Sequence, residues 1–183
     1  MRSGEPTLRL PLGRCGAARA AGGTGGPSGR AKALACYGLL FPAAYRAAGE
    51  EREFWLRFVD GRPVSAITTH FLAWCCERLP ARGVRVWVLV WDNASWHISR
   101  KAEHWLREHN RTVKRSGNVV RILPCPLPAK SPWLNPIDVH WYHGERQTVE
   151  AERVLTKGEM TSRIGACCGR TKEPHLDLPG KVA

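Results

Sequence analysis

The sequence predicts an α/β fold in which part of the sheet is antiparallel. Short segments rich in β-branched and aromatic residues alternate with segments whose apolar residues recur at helical spacing. In chain order these segments are strand, strand, helix, strand, helix, strand, loop and helix. That order is typical of helices packed on a mixed sheet.

Residues 1–30 differ from the rest of the chain and are expected to be disordered. They hold eight glycines and five arginines and show no apolar periodicity. Such a segment cannot bury enough apolar surface to offset the entropy of the chain. We therefore predict one folded domain over residues 31–168, with a flexible tail over residues 169–183.

The first half of the predicted domain holds two strands and a helix. The apolar run at 32–40 is predicted to be a buried strand. The alternating run at 54–64 contains Asp60–Gly61, a dipeptide typical of hairpin turns. Ser65 is then placed to cap a helix over about 66–79, where apolar residues recur at helical spacing.

The second half begins with the most apolar segment of the chain. Residues 84–91 read VRVWVLVW, predict a central strand and run directly into Asp92. Ser99 is expected to cap a helix over about 100–110, and a short strand is predicted at 119–123.

Two further helix starts are predicted beyond a proline-rich loop. At Asn135–Pro136, Asn suits the N-cap and Pro suits the first helical position. At Thr156, Glu159 stands three residues further on and completes a capping box.

The net charge of +12 and the pI near 9.9 indicate a polyanionic partner, with nucleic acid ahead of an anionic membrane surface. No apolar run approaches the roughly 20 residues of a membrane span. We therefore expect no membrane partner and a cytoplasmic, nucleoid-associated protein. Seven cysteines without a C-x-x-C motif indicate reduced thiols rather than disulfides or a zinc site.

Two acidic residues stand at positions that suit chemistry. Asp92 ends the central strand, and ligands of open α/β sheets bind beyond the carboxyl ends of the strands. Asp138 is expected in the first turn of a helix. If the two carboxylates meet, they could share the pair of Mg²⁺ or Mn²⁺ ions, roughly 4 Å apart, that suits phosphodiester cleavage. The alternatives are a simple Asp-Asn turn and a residue that compensates the helix dipole.

Other residues are candidates for supporting this site or for holding DNA. Asn93, His97 and Asn135 are the supporting candidates, and His97 is either a metal or phosphate contact or a structural hydrogen-bonding residue. The candidate DNA-binding cations are Arg100, Lys101, Arg107, Arg111, Lys114, Arg115 and Lys130. The alternative is that these cations form a solvated helix face.

Two segments in succession resemble motifs of the DDE transposases, in the mariner-like superfamily and its bacterial insertion-sequence branch. VLVWDNASWH at 88–97 is similar to the second-aspartate motif, and LPAKSPWLNPIDVHW at 127–141 is similar to the third motif. The resemblance covers roughly residues 32–168. It implies a ribonuclease-H-like mixed sheet flanked by helices, and a Mg²⁺-dependent enzyme that cuts and transfers DNA strands at transposon ends. It also implies catalytic, metal-binding roles for Asp92 and Asp138, and a homodimer in the parent family.

The sequence departs from this family at its start. The first catalytic Asp of the family lies on a strand before the one that resembles 32–40, yet residues 1–50 contain no Asp. We therefore expect the first strand to be missing and the chain to be a truncated, inactive transposase. Asp138 stands where bacterial relatives carry Glu. The alternatives are a non-catalytic basic module that binds DNA or RNA, and a fragment that does not fold stably alone.

Overall fold

The computed structural model describes residues 7–11, 17–18, 34–41, 53–117, 119–129, 131–149 and 156–168. Its strands are β1 (Thr7–Pro11), β2 (Ala17–Ala18), β3 (Leu34–Phe41), β4 (Glu53–Asp60), β5 (Val86–Trp91) and β6 (Arg121–Pro126). Its α-helices are α1 (Ser65–Arg78), α2 (Arg100–Ser116), α3 (Asp138–Val149) and α4 (Lys157–Cys167). No helix in these ranges is long and apolar enough to cross a membrane.

The strands form the mixed parallel and antiparallel arrangement that the sequence predicted. β1, β5 and β6 pair in parallel, with β5 in the centre. β2, β3 and β4 pair antiparallel, with β3 in the centre. β1 also contacts β3, so it connects the parallel group to the antiparallel group.

The expectation of disorder over residues 1–30 is wrong for β1 and β2. β1 pairs with five consecutive residues of β5, from Thr7 opposite Val86 to Pro11 opposite Val90. The sequence predicted no strand ahead of β3, because the composition of a segment does not show which backbone groups it will pair with. The rest of residues 1–30, and the predicted tail over 169–183, lie outside the described residues.

Helices cover both faces of the strands. α1 and α2 pack on one face of β3, β4, β5 and β6, and α3 and α4 pack on the other face of β3 and β4. Gly38 of β3 permits the close approach of α3, because a Cβ atom there would lie 2.5 Å from the ring of Trp141.

The start of α1 differs from the prediction at two points. No hairpin forms at Asp60–Gly61; β4 ends at Asp60, and the chain continues through an extended Val64 into α1. Val64, rather than Ser65, is the N-cap residue, and it makes no side-chain capping bond. Instead, the buried hydroxyl of Tyr37 accepts a hydrogen bond from Val64 N and donates one to Val64 O, at 3.1 and 3.3 Å.

Local capping signals at α2 and α4 are confirmed. Ser99 Oγ accepts from Ala102 N at 3.1 Å, although α2 continues to Ser116 rather than ending near residue 110. The extra turns end at Gly117, whose φ of 70° is the left-handed value that favours glycine at a helix end. Thr156 and Glu159 form the predicted capping box of α4.

Candidate active site

Asp92 lies directly beyond the carboxyl end of β5. β5 pairs with β1 on one side and β6 on the other, and its Trp87, Leu89 and Trp91 are buried in the core with α1 and α2. The strand is therefore held by hydrogen bonds on both edges and by packing on one face. A side chain that follows it starts from a fixed backbone position while remaining partly exposed to solvent.

One oxygen of the Asp92 carboxylate is held within a tight local turn. Oδ1 accepts a hydrogen bond from Ala94 N at 3.0 Å and lies 2.7 Å from Nδ1 of His97. The turn is closed by His97 N donating to Ala94 O at 2.8 Å. The local turn that the sequence offered as one alternative is therefore present, and it holds one oxygen of the Asp92 carboxylate.

His97 is the buried partner that orients Asp92. Its side chain is fully buried, stacked on Trp91 with ring centroids 5.1 Å apart and against the edge of Trp96 at 5.9 Å. These two rings hold the imidazole so that Nδ1 faces Asp92. Nε2 is buried and has no hydrogen-bond partner among the described residues.

Asn93 ties the end of β5 to the loop after β6. Its Nδ2 donates to Leu127 O at 2.6 Å, and Leu127 N donates to Trp91 O at 2.8 Å. The chain that follows Leu127 leads to Asp138. The segment carrying the second candidate carboxylate thus departs from the carboxyl end of β5, beside Asp92.

Asp138 begins α3, as expected for a first-turn residue, but Asn135 does not cap the helix as predicted. α3 starts at Asp138, and Asn135 Nδ2 donates to the Asp138 carboxylate at 3.2 Å instead of accepting a backbone N–H. The first turn of α3 begins at the buried Ile137, whose carbonyl accepts hydrogen bonds from His140 N and Trp141 N. Asn135 therefore orients the side chain of Asp138 rather than the end of α3.

The described residues do not complete a two-metal site. Asp92 and Asp138 supply carboxylate oxygens, the ligands that Mg²⁺ prefers. Within the described part of the chain, no group of three or more His, Cys, Asp or Glu residues is placed to hold a metal ion. β1, the parallel neighbour of β5, has the sequence TLRLP and carries no acidic residue.

The predicted DNA-binding cations are spread along the whole of α2. Because β5 and β6 are parallel, α2 must run from the carboxyl end of the sheet back to its amino end. Arg100 and Lys101 are exposed near the Asp92 end, and Arg107, Arg111, Lys114 and Arg115 are exposed farther along. Lys130 lies outside the described residues.

The structure places a further cation, Arg121, beside the candidate cations of α2; the sequence did not single it out. It is exposed at the first position of β6 and lines a groove together with residues of α2. The only signal in the sequence was one basic residue at the start of a short apolar strand.

The chain is similar to one protein family and to solved structures. The family model described as DDE superfamily endonuclease matches residues 43–161. Two solved structures are similar, each with a TM-score of 0.51: the Mos1 strand transfer complex (16% identity, covering 85% of this chain and 45% of that chain) and the Mos1 transposase paired-end complex with left transposon end (15% identity, covering 90% and 48%). The chain thus spans less than half the length of each, and the likeness shows a ribonuclease-H-like mixed α/β fold. No curated protein matches the chain.

Proposed function

The chain belongs to the DDE superfamily endonucleases, and from this premise we propose that it is part of the catalytic domain of a DNA transposase. The observation that carries the proposal is the placement of Asp92. It follows the central parallel strand, and His97 and the Ala94 amide hold its carboxylate. The proposed substrate is DNA at transposon ends, since one similar structure is a transposase in complex with a transposon end.

Asp92 and Asp138 are the proposed metal-binding carboxylates. Each has one oxygen held by a neighbouring side chain, His97 for Asp92 and Asn135 for Asp138. Such contacts orient a carboxylate before the ion arrives, as hydrogen bonds to the ligands do in metal sites generally. Bound Mg²⁺ or Mn²⁺ supplies charge stabilisation at the phosphate.

We propose further that this chain, on its own, binds DNA but does not cleave it. Phosphoryl transfer requires the reacting groups and ions to be held within about 0.5 Å of the productive geometry. Two carboxylates are too few to hold two ions that tightly, and the part of the chain that the structure describes places no third metal-binding side chain with them. Each 1.4 kcal/mol of lost transition-state stabilisation lowers the rate about tenfold, so the loss of a ligand removes activity by orders of magnitude.

Cleavage is tested by nicking of supercoiled plasmid in the presence of Mg²⁺ or Mn²⁺. The natural chain and an Asp92→Ala variant, assayed side by side, are expected to give the same background. Metal-dependent nicking by the natural chain that disappears in the variant would contradict the proposal. It would direct the search for a third ligand to Asp60, Glu145 and Glu150.

A second candidate function is a basic DNA-binding module without a metal site, favoured by the cations along α2. Paramagnetic Mn²⁺ separates the two candidates. If Asp92 and Asp138 bind an ion, Mn²⁺ should broaden the amide NMR signals of Ala94 and Val139, and Asp92→Asn should abolish the effect. Binding without a metal site predicts no broadening localised to these residues.

A further inference from the structure

A basic groove lies between the second half of α2 and the start of β6. It has a volume of about 510 Å³. Its lining residues are Arg107, Asn110, Arg111, Val113, Lys114 and Arg121. Lys114 and Arg121 have no carboxylate partner among the described residues, whereas Arg107 and Arg111 form exposed pairs with Glu103 and Glu108. The groove therefore offers an excess of positive charge.

The floor of the groove is fixed by hydrogen bonds between its two walls. Asn110 Nδ2 donates to Ile122 O at 2.7 Å, and Asn110 Oδ1 accepts from Ile122 N at 2.9 Å. His109 Nε2 lies 2.8 Å from Val120 O. These contacts hold α2 against the outer edge of β6, so the spacing between the cations of the helix and Arg121 is set before any ligand binds.

The groove lies at the end of the sheet opposite to Asp92. Arg121 is the register partner of Val86, the first residue of β5, whereas Asp92 follows the last. Asp92 lies six residues after Val86, which corresponds to about 20 Å along an extended strand at roughly 3.3 Å per residue. Along α2, Lys114 lies fourteen residues after Arg100, which is a similar distance of about 21 Å. The end of the groove at Lys114 and Arg121 is therefore too far from Asp92 to contact the same phosphate.

We propose that this groove binds the phosphate backbone of duplex DNA about six base pairs away from the phosphate presented to Asp92. The spacing follows from the separation of about 20 Å and the rise of about 3.4 Å per base pair, for a duplex whose axis runs along β5 and α2. The inference rests on the proposed function for its partner, because duplex DNA is the polyanion on which a transposase acts. The four cations that line the groove can each contact a phosphate, and phosphates carry no sequence information directly.

The test measures DNA affinity against salt concentration with the full chain and a chelator present. Each phosphate contact contributes about 0.9 to the slope of log affinity against log salt. Lys114→Ala/Arg121→Ala should therefore lower the slope by about 1.8 and weaken binding on the order of tenfold near 0.1 M salt. The matched control, Arg62→Ala/Arg163→Ala, removes two exposed cations outside the groove and should leave the slope unchanged.

A combined variant tests the separation from the Asp92 end. Arg100→Ala/Lys101→Ala removes two cations near Asp92, and effects at distant sites add. If Arg100→Ala/Lys101→Ala by itself lowers the salt slope, the variant that carries all four substitutions should lower the slope by the sum of the two separate decreases. A combined loss no larger than the groove loss would mean shared phosphates and would overturn the separation.

Three other results would overturn the assignment of the groove. The first is a groove variant whose salt slope equals that of the natural chain. The second is a control variant whose salt slope falls as much as that of the groove variant. The third is a groove variant that loses affinity for duplex RNA but not for a DNA duplex of the same sequence. Because a chelator is present and no cleavage is scored, these results do not depend on metal binding at Asp92. The absence of localised broadening by Mn²⁺ would contradict the proposed metal site but would not affect the proposal for the groove.

Discussion

At the scale of single residues, a hydrogen bond between Asp92 and His97 orients the Asp92 carboxylate and satisfies the buried His97 imidazole. The imidazole is fully buried between two tryptophan rings, and Asp92 accepts the hydrogen bond that its Nδ1 makes. Removing the acceptor would leave a buried donor unsatisfied, which costs about 1–3 kcal/mol. A residue of the candidate active site therefore also stabilises the turn that follows β5.

Replacement of Asp92 by Ala should lower the free energy of unfolding by about 1–3 kcal/mol, since Ala accepts no hydrogen bond from His97 or Ala94. Asp92→Asn should cost less than about 1 kcal/mol, because the amide oxygen can still accept. Urea unfolding followed by tryptophan fluorescence measures both values. Asp60→Ala is the control, because the exposed pair of Asp60 with Lys157 contributes about 0–1 kcal/mol. Equal losses for the Ala and Asn variants of Asp92 would show that its carboxylate is not holding His97.

At the scale of secondary structure, β1 is the element whose presence changes the interpretation most. It covers the edge of β5 and contacts β3. Without it, five residues of the central parallel strand would lose a row of backbone partners, and unpaired strand edges favour aggregation. β1 thus contributes to stability while supplying no carboxylate.

Deletion of residues 2–11 should lower the melting temperature by at least about 4 °C, the shift that 1–2 kcal/mol produces in a domain of this size. The reason is the loss of the β1–β5 pairing. Thermal unfolding followed by far-ultraviolet circular dichroism gives the shift, and a chain lacking residues 170–183 is the control. Melting of the shortened chain at the temperature of the natural chain would mean that β1 contributes nothing.

At the scale of the whole molecule, the two core layers share β3. Alternate residues of this strand face opposite layers: Ala35 and Tyr37 pack with α1, whereas Leu34 and Cys36 pack with α3 and α4. Opening either layer therefore exposes the other face of the same strand. We expect the two layers to unfold as one cooperative unit.

Buried thiols in both layers can report on this cooperativity. Burial raises the pKa of the Cys36, Cys75 and Cys76 thiols, with the pKa of Cys76 raised to about 12. Little reactive thiolate is therefore present at pH 8 in the folded state, since the thiolate is the nucleophile. Pulse alkylation at increasing urea, read by mass spectrometry, should label Cys36 and Cys168 at the same midpoint as Cys75 and Cys76.

Exposed Cys125 is the internal control and should react without urea. Separate midpoints for the two pairs would mean that the layers open independently.

The sequence by itself determined the features that depend on neighbours along the chain. The apolar run before Asp92 predicted the central strand, and Ser99 and the Thr156–Glu159 box predicted two helix starts, all of which the structure shows. The α/β class and the family followed from the same local patterns, because a strand, a helix cap or a family motif is recognised from ten to fifteen consecutive residues. The pairing of Asp92 with Asp138 at one metal site stays a prediction.

Only the tertiary structure decided the features that depend on distant partners. β1 is a strand because β5 offers it a row of hydrogen-bonding groups, and the composition of residues 1–30 does not show this. α3 starts at Asp138, directly after Ile137, whose side chain is buried in a core built with β3, β4 and α4. Arg121 joins the cations of α2 because Asn110 holds β6 against that helix. In each case the deciding interaction is between residues that are far apart in the sequence and meet only in the folded chain. Its contribution to the free energy therefore cannot be predicted from the local sequence.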